Sequence, residues 1–495
     1  MSTSTSSHPH VPISPRPQVP TVSGPYIHVL PPHIPMSPRL HVPILTSRVS
    51  TSPHPRPHVR AVASGSGWDR CRQVPTLALL KSQNHWAVAG GPGRRWEVAT
   101  SPQCHVPSAP CPPAPALAMA GLLQALVGAS EKAAAIARLC RREQPLFQLL
   151  VAEKTGPDRN RRFLQDFKTL ADVLIQEVIK HDLGKEFPEL LDHIHGEESN
   201  EFRSPEGEMV TVRVCATPGD TAALLLAVLA PEREAAELLA DAVHRDVALA
   251  DAALAGVELS ILPQDLAIWI DPIDSTNEYI RGCEDVAPID GVAPAGLCSA
   301  LVLIGAYDRH TGCPVLGVIN EPFFRRDPVT RRWQGQYHWG VAYGDTRLSS
   351  LSPPGPSPVP RVVLSRAEAP AVRAVLEPLC GGRLLFAAGA GYKLLCVILG
   401  LADIYVLSEG STFAWDACAP HAILRALGGG IVALAEALRM RRAQSAGTPP
   451  ELVYNRPIDR VDGAERWANR GGLVAYVDPQ HLEAVLAALA TVPGL

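Results

Sequence analysis

The sequence predicts a protein of mixed α and β layers, α+β or α/β in class, behind a proline-rich extension. Three observations predict it. Residues 120–142 repeat apolar side chains at helical spacing, with Leu122, Leu126, Ala133, Ile136 and Cys140 on one face. Residues 298–307 and 315–319 read as the arms of a β-hairpin closed by a turn at 308–312. From 361 onward, short apolar strands alternate with helices.

In chain order, residues 1–118 come first and hold 22 of the 48 prolines and 9 of the 17 histidines. Loose echoes recur there, as in His10-Val11-Pro12-Ile13-Ser14-Pro15 and His33-Ile34-Pro35-Met36-Ser37-Pro38. Such a stretch lacks the periodicity to build a core and is expected to be disordered. A docking or targeting role is the sharper possibility, but no amphipathic helix opens the chain, so a dispensable extension is preferred. Met119, where the helical texture begins, is an expected alternative start of translation.

After the helix over 120–142, a second is expected over 170–180, then the acidic segment His195-Gly196-Glu197-Glu198-Ser199-Asn200-Glu201. The apolar run Ile268-Trp269-Ile270 reads as a buried strand, and the hairpin follows it. Residues 348–360, rich in Ser and Pro, form a surface loop. Beyond it lie strands at 361–364, 383–386 and 403–407, helices at 370–379 and 392–399, and a helix from Asp416. Two subdomains, 119–295 and 296–495, are expected to meet near residues 290–300.

At 495 residues the chain can bury more than one core, and a hydrophobic content of 46% fits a soluble globular protein. The net charge of −4 hides an asymmetry: ten basic and two acidic residues in 1–118 leave 35 basic and 47 acidic residues for the remainder. That acidic body argues against general nucleic-acid binding and suits carboxylates gathered around cations. The 11 cysteines include no Cys-x-x-Cys pair, and no secretory signal precedes them. Reduced thiols and a cytoplasmic location are therefore expected. The apolar runs are far shorter than the ~20 residues needed to cross a bilayer, so no membrane insertion is expected.

The strand at 268–270 ends in Asp271-Pro272-Ile273-Asp274-Ser275-Thr276, two carboxylates three residues apart with a helix start behind them. Such a turn can present hard oxygen ligands to Mg²⁺ while the following N–H groups receive phosphate oxygens. Asp172, Glu197, Glu198 and Asp416 are the other acidic candidates. Each has an ordinary explanation. Asp172 and Asp416 suit helix N-caps, the glutamates a solvated loop, and Asp271 and Asp274 the turn. Converging, all six could hold two or three Mg²⁺ ions, with Thr276 and the Ile273 carbonyl completing the shell. Glu198 and Thr276 would then orient and deprotonate a water for in-line attack on phosphorus.

These residues carry a resemblance. Trp269-Ile270-Asp271-Pro272-Ile273-Asp274-Ser275-Thr276 resembles the first signature of the lithium-inhibited, Mg²⁺-dependent phosphatases, and the segment from Trp415-Asp416 to Gly429-Gly430 resembles the second. This family includes inositol monophosphatase, fructose-1,6-bisphosphatase and bisphosphate nucleotidase. Gly196-Glu197-Glu198-Ser199-Asn200-Glu201-Phe202, Asp166-Phe167-Lys168-Thr169-Leu170-Ala171-Asp172 and Gly389-Ala390-Gly391-Tyr392-Lys393 are similar to its inositol-polyphosphate branch. The resemblance runs from Met119 almost to the C-terminus and includes none of 1–118.

It implies a layered α/β/α/β/α sandwich, inhibition by Li⁺, and metal ligation by Asp172, Glu197, Glu198, Asp271, Asp274, Thr276, Asp416 and the Ile273 carbonyl; a monomer is expected. It implies phosphate contact at Ser275 and Thr276 beside Asp274 and Asp416, with Gly389 and Lys393 facing the inositol and its non-reacting phosphate. The implied reaction removes the 1-phosphate from inositol 1,4-bisphosphate and inositol 1,3,4-trisphosphate without a phosphoenzyme, with Asp172, Glu198 and Thr276 as its catalytic residues. The alternatives are a 3′-phosphoadenosine 5′-phosphate phosphatase and a non-catalytic inositol-phosphate binder or scaffold. Two departures stand out. Ala367 and Ala369 replace a substrate-binding Ser and Lys, so Arg366 or Arg373 is expected to substitute, and Pro420 is expected to disturb the helix from Asp416. Trp269, Trp415, His421 and Cys418 are expected to be structural, and Gly428-Gly429-Gly430 a turn.

Overall fold

The computed structural model describes residues 115–142 and 151–495, apart from 155, 157–158, 161–165, 205–206, 230, 256, 258–260 and 356. Side chains of the first helix are described from residue 121. The disorder expected for 1–118 lies outside these residues, except that the first helix already begins at Pro115.

Helices α1 (Pro115–Arg142) and α2 (Leu170–Glu186) lie together on one face of a six-stranded sheet. The strands of that sheet are β3 (Ile194–Gly196), β6 (Leu266–Asp274), β7 (Leu301–Asp308), β8 (Pro314–Arg326), β9 (Trp333–Tyr343) and β10 (Thr346–Ser349). Their order is β10-β9-β8-β7-β6-β3, antiparallel except that β3 runs parallel to β6. Two small hairpins flank it, β1 (Val151–Glu153) with β2 (Phe167–Thr169) and β4 (Glu201–Arg203) with β5 (Met209–Thr211). Helices α3 (Pro218–Leu229), α4 (Arg233–His244), the single turn α5 (Ala252–Ala255) and α6 (Thr276–Arg281) join these parts.

The second sheet, order β12-β11-β13-β15-β14, contains β11 (Val362–Leu364), β12 (Leu384–Phe386), β13 (Ile404–Leu407), β14 (Gly430–Ala433) and β15 (Leu473–Tyr476). Helices α8 (Ala390–Ile398) and α9 (Ala414–Ala426) fill the space between the sheets. On the outer face lie α7 (Pro370–Leu376), α10 (Leu434–Arg442) and α11 (Pro479–Leu489). The expected α/β/α/β/α layering is what the chain forms.

Alternation along the strands builds the layers, because successive side chains point to opposite faces. Leu266, Ile268 and Ile270 join the core under α1 and α2, while Ala267 and Trp269 join the core between the sheets. In β13, Tyr405 and Leu407 face that middle core, and Ile404 and Val406 face the outer one. A strand covered on both sides reads as a continuous apolar run. The subdomain boundary expected at 295/296 falls inside the first sheet, since β6 and β7 pair across it. The change of sheet comes instead in the loop between Ser349 and Val362.

A row of glycines sets how closely α9 approaches. Gly305, Gly317 and Gly340 are direct cross-strand partners on β7, β8 and β9, and Trp269 of β6 is in register with Gly305. A Cβ on Gly317 would stand 2.1 Å from the Ala419 carbonyl oxygen, and one on Gly305 2.5 Å from the Ala419 nitrogen. The backbone of α9 thus rests directly on the sheet. Pro420 does not end that helix, which starts two residues before Asp416 and runs through the proline to Ala426.

Candidate metal centre

The site begins at an irregularity in β6. Asp271 pairs with Leu303 but Asp274 pairs with Leu301, so β6 holds one extra residue there. Three residues apart on a regular strand, the two carboxylates would face opposite sides. The bulge brings them back together, and Pro272, which cannot donate to the ladder, is tolerated within it. Ser275 follows in the left-handed region at φ 68° and ψ 44°, a strained conformation for a side chain with a Cβ. It turns the chain into α6. The Ser275 hydroxyl donates to Asp274 Oδ2 at 3.1 Å, and the Thr276 hydroxyl to the Ile273 carbonyl at 3.1 Å.

Asp172 and Asp416 occupy the third position of their helices, not the N-cap. Thr169 N–H donates to Asp172 Oδ2 at 2.7 Å, and Phe413 N–H donates to Asp416 Oδ2 at 2.7 Å. In both, one oxygen closes the first helical turn. The α9 turn carries Asp416 to the β6 bulge. Ligand oxygens of Asp271, Asp274 and Asp416 all lie within 4.8 Å of one another.

Electrostatics at this cluster favour a bound cation. Burial pushes the carboxyls of Asp271 and Asp416 well above the usual range, and neighbouring carboxylates add to it. Asp274 is raised for the same first reason, opposed by the Gly391 N–H, Lys393 and the Ser275 hydroxyl. Asp271 Oδ1 is buried without a hydrogen-bond partner among the described residues. A buried carboxylate oxygen without a donor is costly, and hard oxygen donors converging in this way fit Mg²⁺.

The cavity at the cluster has a volume of about 340 Å³, and its walls include Glu197, Asp271, Ile273, Asp274, Ser275, Thr276, Gly389, Lys393 and Asp416. Asp172 and Glu198 are not on those walls. Both are buried, Asp172 pushed up to about 7 and Glu198 to about 8, each by burial first and by Glu197 among its neighbours. Lys154, which no sequence motif marks, stands 2.6 Å from Glu197 and 2.5 Å from Glu198. Burial pulls its ammonium down, but Glu197, Glu198 and Asp166 outweigh that and lift it well above its ordinary value. Gln176 was equally invisible as a site residue. One turn beyond Asp172 on α2, it hydrogen-bonds the Glu198 peptide.

Lys393 lines the cavity but is only 4% exposed, which excludes an ordinary solvated helix residue. Its ammonium donates to the carbonyls of Ala387 and Gly389, and burial lowers it to about 8. Gly389, at φ +80°, is required there: a Cβ would stand 2.1 Å from Ser275 Oγ. Neither Arg366 nor Arg373 lines the cavity, correcting the expected substitution. Arg373 donates to the Arg366 carbonyl and lies over the Phe386 ring. Trp269 and Trp415 pack as expected, 5.7 Å apart, although Trp415 also reaches the cavity wall. His421 is fully buried against the Tyr454 hydroxyl, and burial raises the Cys418 thiol well above its usual value.

Comparison with known proteins agrees with this geometry. A sequence profile of the inositol monophosphatase family matches residues 226–479. Inositol polyphosphate 1-phosphatase of Homo sapiens is 48% identical over 390 residues, covering 75% of this chain and 97% of that protein. The Bos taurus protein of the same name is 49% identical over 391 residues, with the same coverages. The 3′(2′),5′-bisphosphate nucleotidase 1 of Dictyostelium discoideum is 33% identical over 181 residues, 35% of this chain and 53% of its own length. On the strength of a profile match over half its length and of relatives matched nearly end to end, the chain belongs to the inositol monophosphatase family.

Proposed function

We propose that this protein is an Mg²⁺-dependent phosphatase that removes the 1-phosphate from inositol 1,4-bisphosphate and inositol 1,3,4-trisphosphate. The observation that carries this is the meeting of Asp271, Asp274 and Asp416 within 4.8 Å, with an oxygen of Asp271 unpartnered among the described residues. Relatives matched over nearly their whole length carry the name inositol polyphosphate 1-phosphatase, which supports the substrate class. The bisphosphate nucleotidase is similar over about half its length, so a nucleotide substrate is less favoured.

Asp271, Asp274 and Asp416, with Glu197 on the same wall, would hold the metal ions, two or three in number. Bound Mg²⁺ supplies charge neutralisation and Lewis acidity to the phosphate. The N–H groups of Ser275 and Thr276 at the start of α6 bind oxygens of the reacting phosphate. The Thr276 hydroxyl donates to Ile273, which leaves its lone pairs to orient a water. Glu197, which unlike the expected Glu198 stands on the cavity wall, takes the water's proton as its oxygen bonds to phosphorus. The bond from phosphorus to the inositol oxygen breaks, and a solvent water protonates that oxygen. No phosphoenzyme is needed. Li⁺ inhibits by taking one Mg²⁺ position, and the protein works as a cytoplasmic monomer.

A panel of phosphate esters tests the assignment. Efficient Mg²⁺-dependent release is expected from inositol 1,4-bisphosphate, reduced by orders of magnitude in Asp271→Asn. Release from 3′-phosphoadenosine 5′-phosphate, with none from the inositol ester, would overturn the substrate. Full activity of Asp271→Asn would overturn the site.

A further inference from the structure

Strands β8 and β9 run on past the metal centre. Asp274 pairs with Leu301 at the start of β7, and Val302 pairs with Asn320, so β8 reaches the level of the carboxylate cluster near Asn320. It continues to Arg326, and β9 returns from Trp333. The β8–β9 hairpin therefore leaves the first sheet at the same end as the cluster. Its base is anchored, since the Phe323 ring is buried and meets Trp333 edge-on at 5.6 Å. Beyond that anchor, Phe324 is 47% exposed and Val329, at the tip, is 87% exposed.

The turn that carries Val329 is tied down. Asp327 N–H donates to the Arg332 carbonyl at 2.8 Å, and Arg331 N–H donates to the Asp327 carbonyl at 2.9 Å. Asp327 Oδ1 accepts from the N–H groups of Val329 and Thr330, at 2.9 and 2.6 Å. The charge here is opposite to that of the body. Residues 324–332 hold four arginines and one acid, whereas 119–495 as a whole hold 35 basic and 47 acidic residues. Arg326 pairs with Glu284, but Arg325 donates to the neutral Gln334 side chain. Arg331 and Arg332 are exposed, with no side-chain partner among the described residues.

An apolar tip flanked by guanidiniums without counter-ions fits a surface that is anionic at its face and apolar beneath. We propose that this hairpin docks the protein on an anionic lipid surface. Arg325, Arg331 and Arg332 engage lipid phosphates, and Val329 and Phe324 enter the headgroup boundary. The six residues of β8 past Asn320 span roughly 20 Å, about twice the Debye length, so the acidic body is screened from the surface. A nucleic acid fits less well, because Val329 offers no face on which a base could stack. The contact is peripheral: among the described residues no helix is long and apolar enough to cross a membrane. It does not depend on the substrate assigned above.

Co-sedimentation of the full chain with vesicles tests this, using phosphatidylcholine alone and phosphatidylcholine with about one-third phosphatidylserine. Wild type should bind the anionic vesicles only, and high salt should release it. The double variant Arg331→Gln/Arg332→Gln should lower the partition coefficient about tenfold or more, and Val329→Ser severalfold. Arg233→Gln/Arg439→Gln removes the same charge from exposed positions on α4 and α10 and should bind as wild type does. Thermal midpoints should be unchanged in all three, which separates lost docking from lost folding. Absence of wild-type binding to the anionic vesicles would overturn the proposal. So would binding that survives both hairpin variants, or an equal loss in Arg233→Gln/Arg439→Gln. Hairpin-dependent binding of a DNA duplex, with none to vesicles, would replace the lipid by a nucleic acid and overturn it too.

Discussion

Gln176 grips the peptide of Glu198 from both sides. Its Nε2 donates to the Glu198 carbonyl at 2.6 Å, and its Oε1 accepts the Glu198 N–H at 2.9 Å. Gly196 makes room for this, since a Cβ there would stand 1.9 Å from Gln176 Oε1. The glutamate pair is therefore anchored to α2, the helix that carries Asp172. Gln176→Leu would strand a buried donor and a buried acceptor, at a cost of roughly 2 kcal/mol. A lower urea midpoint and about tenfold weaker Mg²⁺ binding by calorimetry are expected. Unchanged values in both would show that the grip is not needed.

The glycine row under α9 leads to a second prediction. Gly317→Ala places a methyl 2.1 Å from the Ala419 carbonyl oxygen, and backbone cannot step aside as a flexible side chain can. The helix must lift, taking Asp416 away from Asp271 and Asp274. A loss of turnover of about tenfold or more is expected, with destabilisation of roughly 1–3 kcal/mol. Gly355→Ala, where an added Cβ meets nothing within 4 Å, is the control and should match wild type in both assays.

Buried carboxyls with raised affinities fix the sign of the pH response in metal-free protein. Asp172 is raised to about 7 and Glu198 to about 8, mainly by burial, while unfolded carboxyls titrate near ~4. Between those values the folded form keeps protons that the unfolded form has lost. Stability in chelator should therefore fall as pH rises from about 4 to about 8. Added Mg²⁺ should restore more stability at the upper end, where the ligands are ionised. Thermal midpoints at several pH values, with and without Mg²⁺, check this. A midpoint that climbs with pH in chelator would contradict it.

Much of the architecture was legible because local patterns and tertiary burial agree. The two-sided apolar run of β6 and the strand and helix alternation after 361 appear as the sequence reads, and the hairpin expected at 298–307 and 315–319 forms with its second strand running on to Arg326. Asp271, Asp274 and Asp416 were legible as a group through motifs, and they meet. What escaped depends on contacts distant in sequence. Lys154 is 43 residues from Glu197, and no periodicity marks a lysine that will lie between two glutamates. Gln176 looks like any helix residue until Gly196 is seen beneath it. The subdomain boundary expected near 290–300 falls within one sheet, because no local pattern reveals that β6 and β7 share a ladder. Arg366 and Arg373 were assigned by proximity in sequence, which says nothing about the direction of a side chain.

The central claim is that these acidic side chains form one metal centre that hydrolyses the 1-phosphate of an inositol polyphosphate. Its most direct test is phosphate release from inositol 1,4-bisphosphate as Mg²⁺ is returned to chelator-treated full-length protein. No release without the metal is expected, then activity that rises and saturates with Mg²⁺, leaving inositol 4-phosphate as product. Undiminished release in chelator, or a product that keeps its 1-phosphate, would contradict the account.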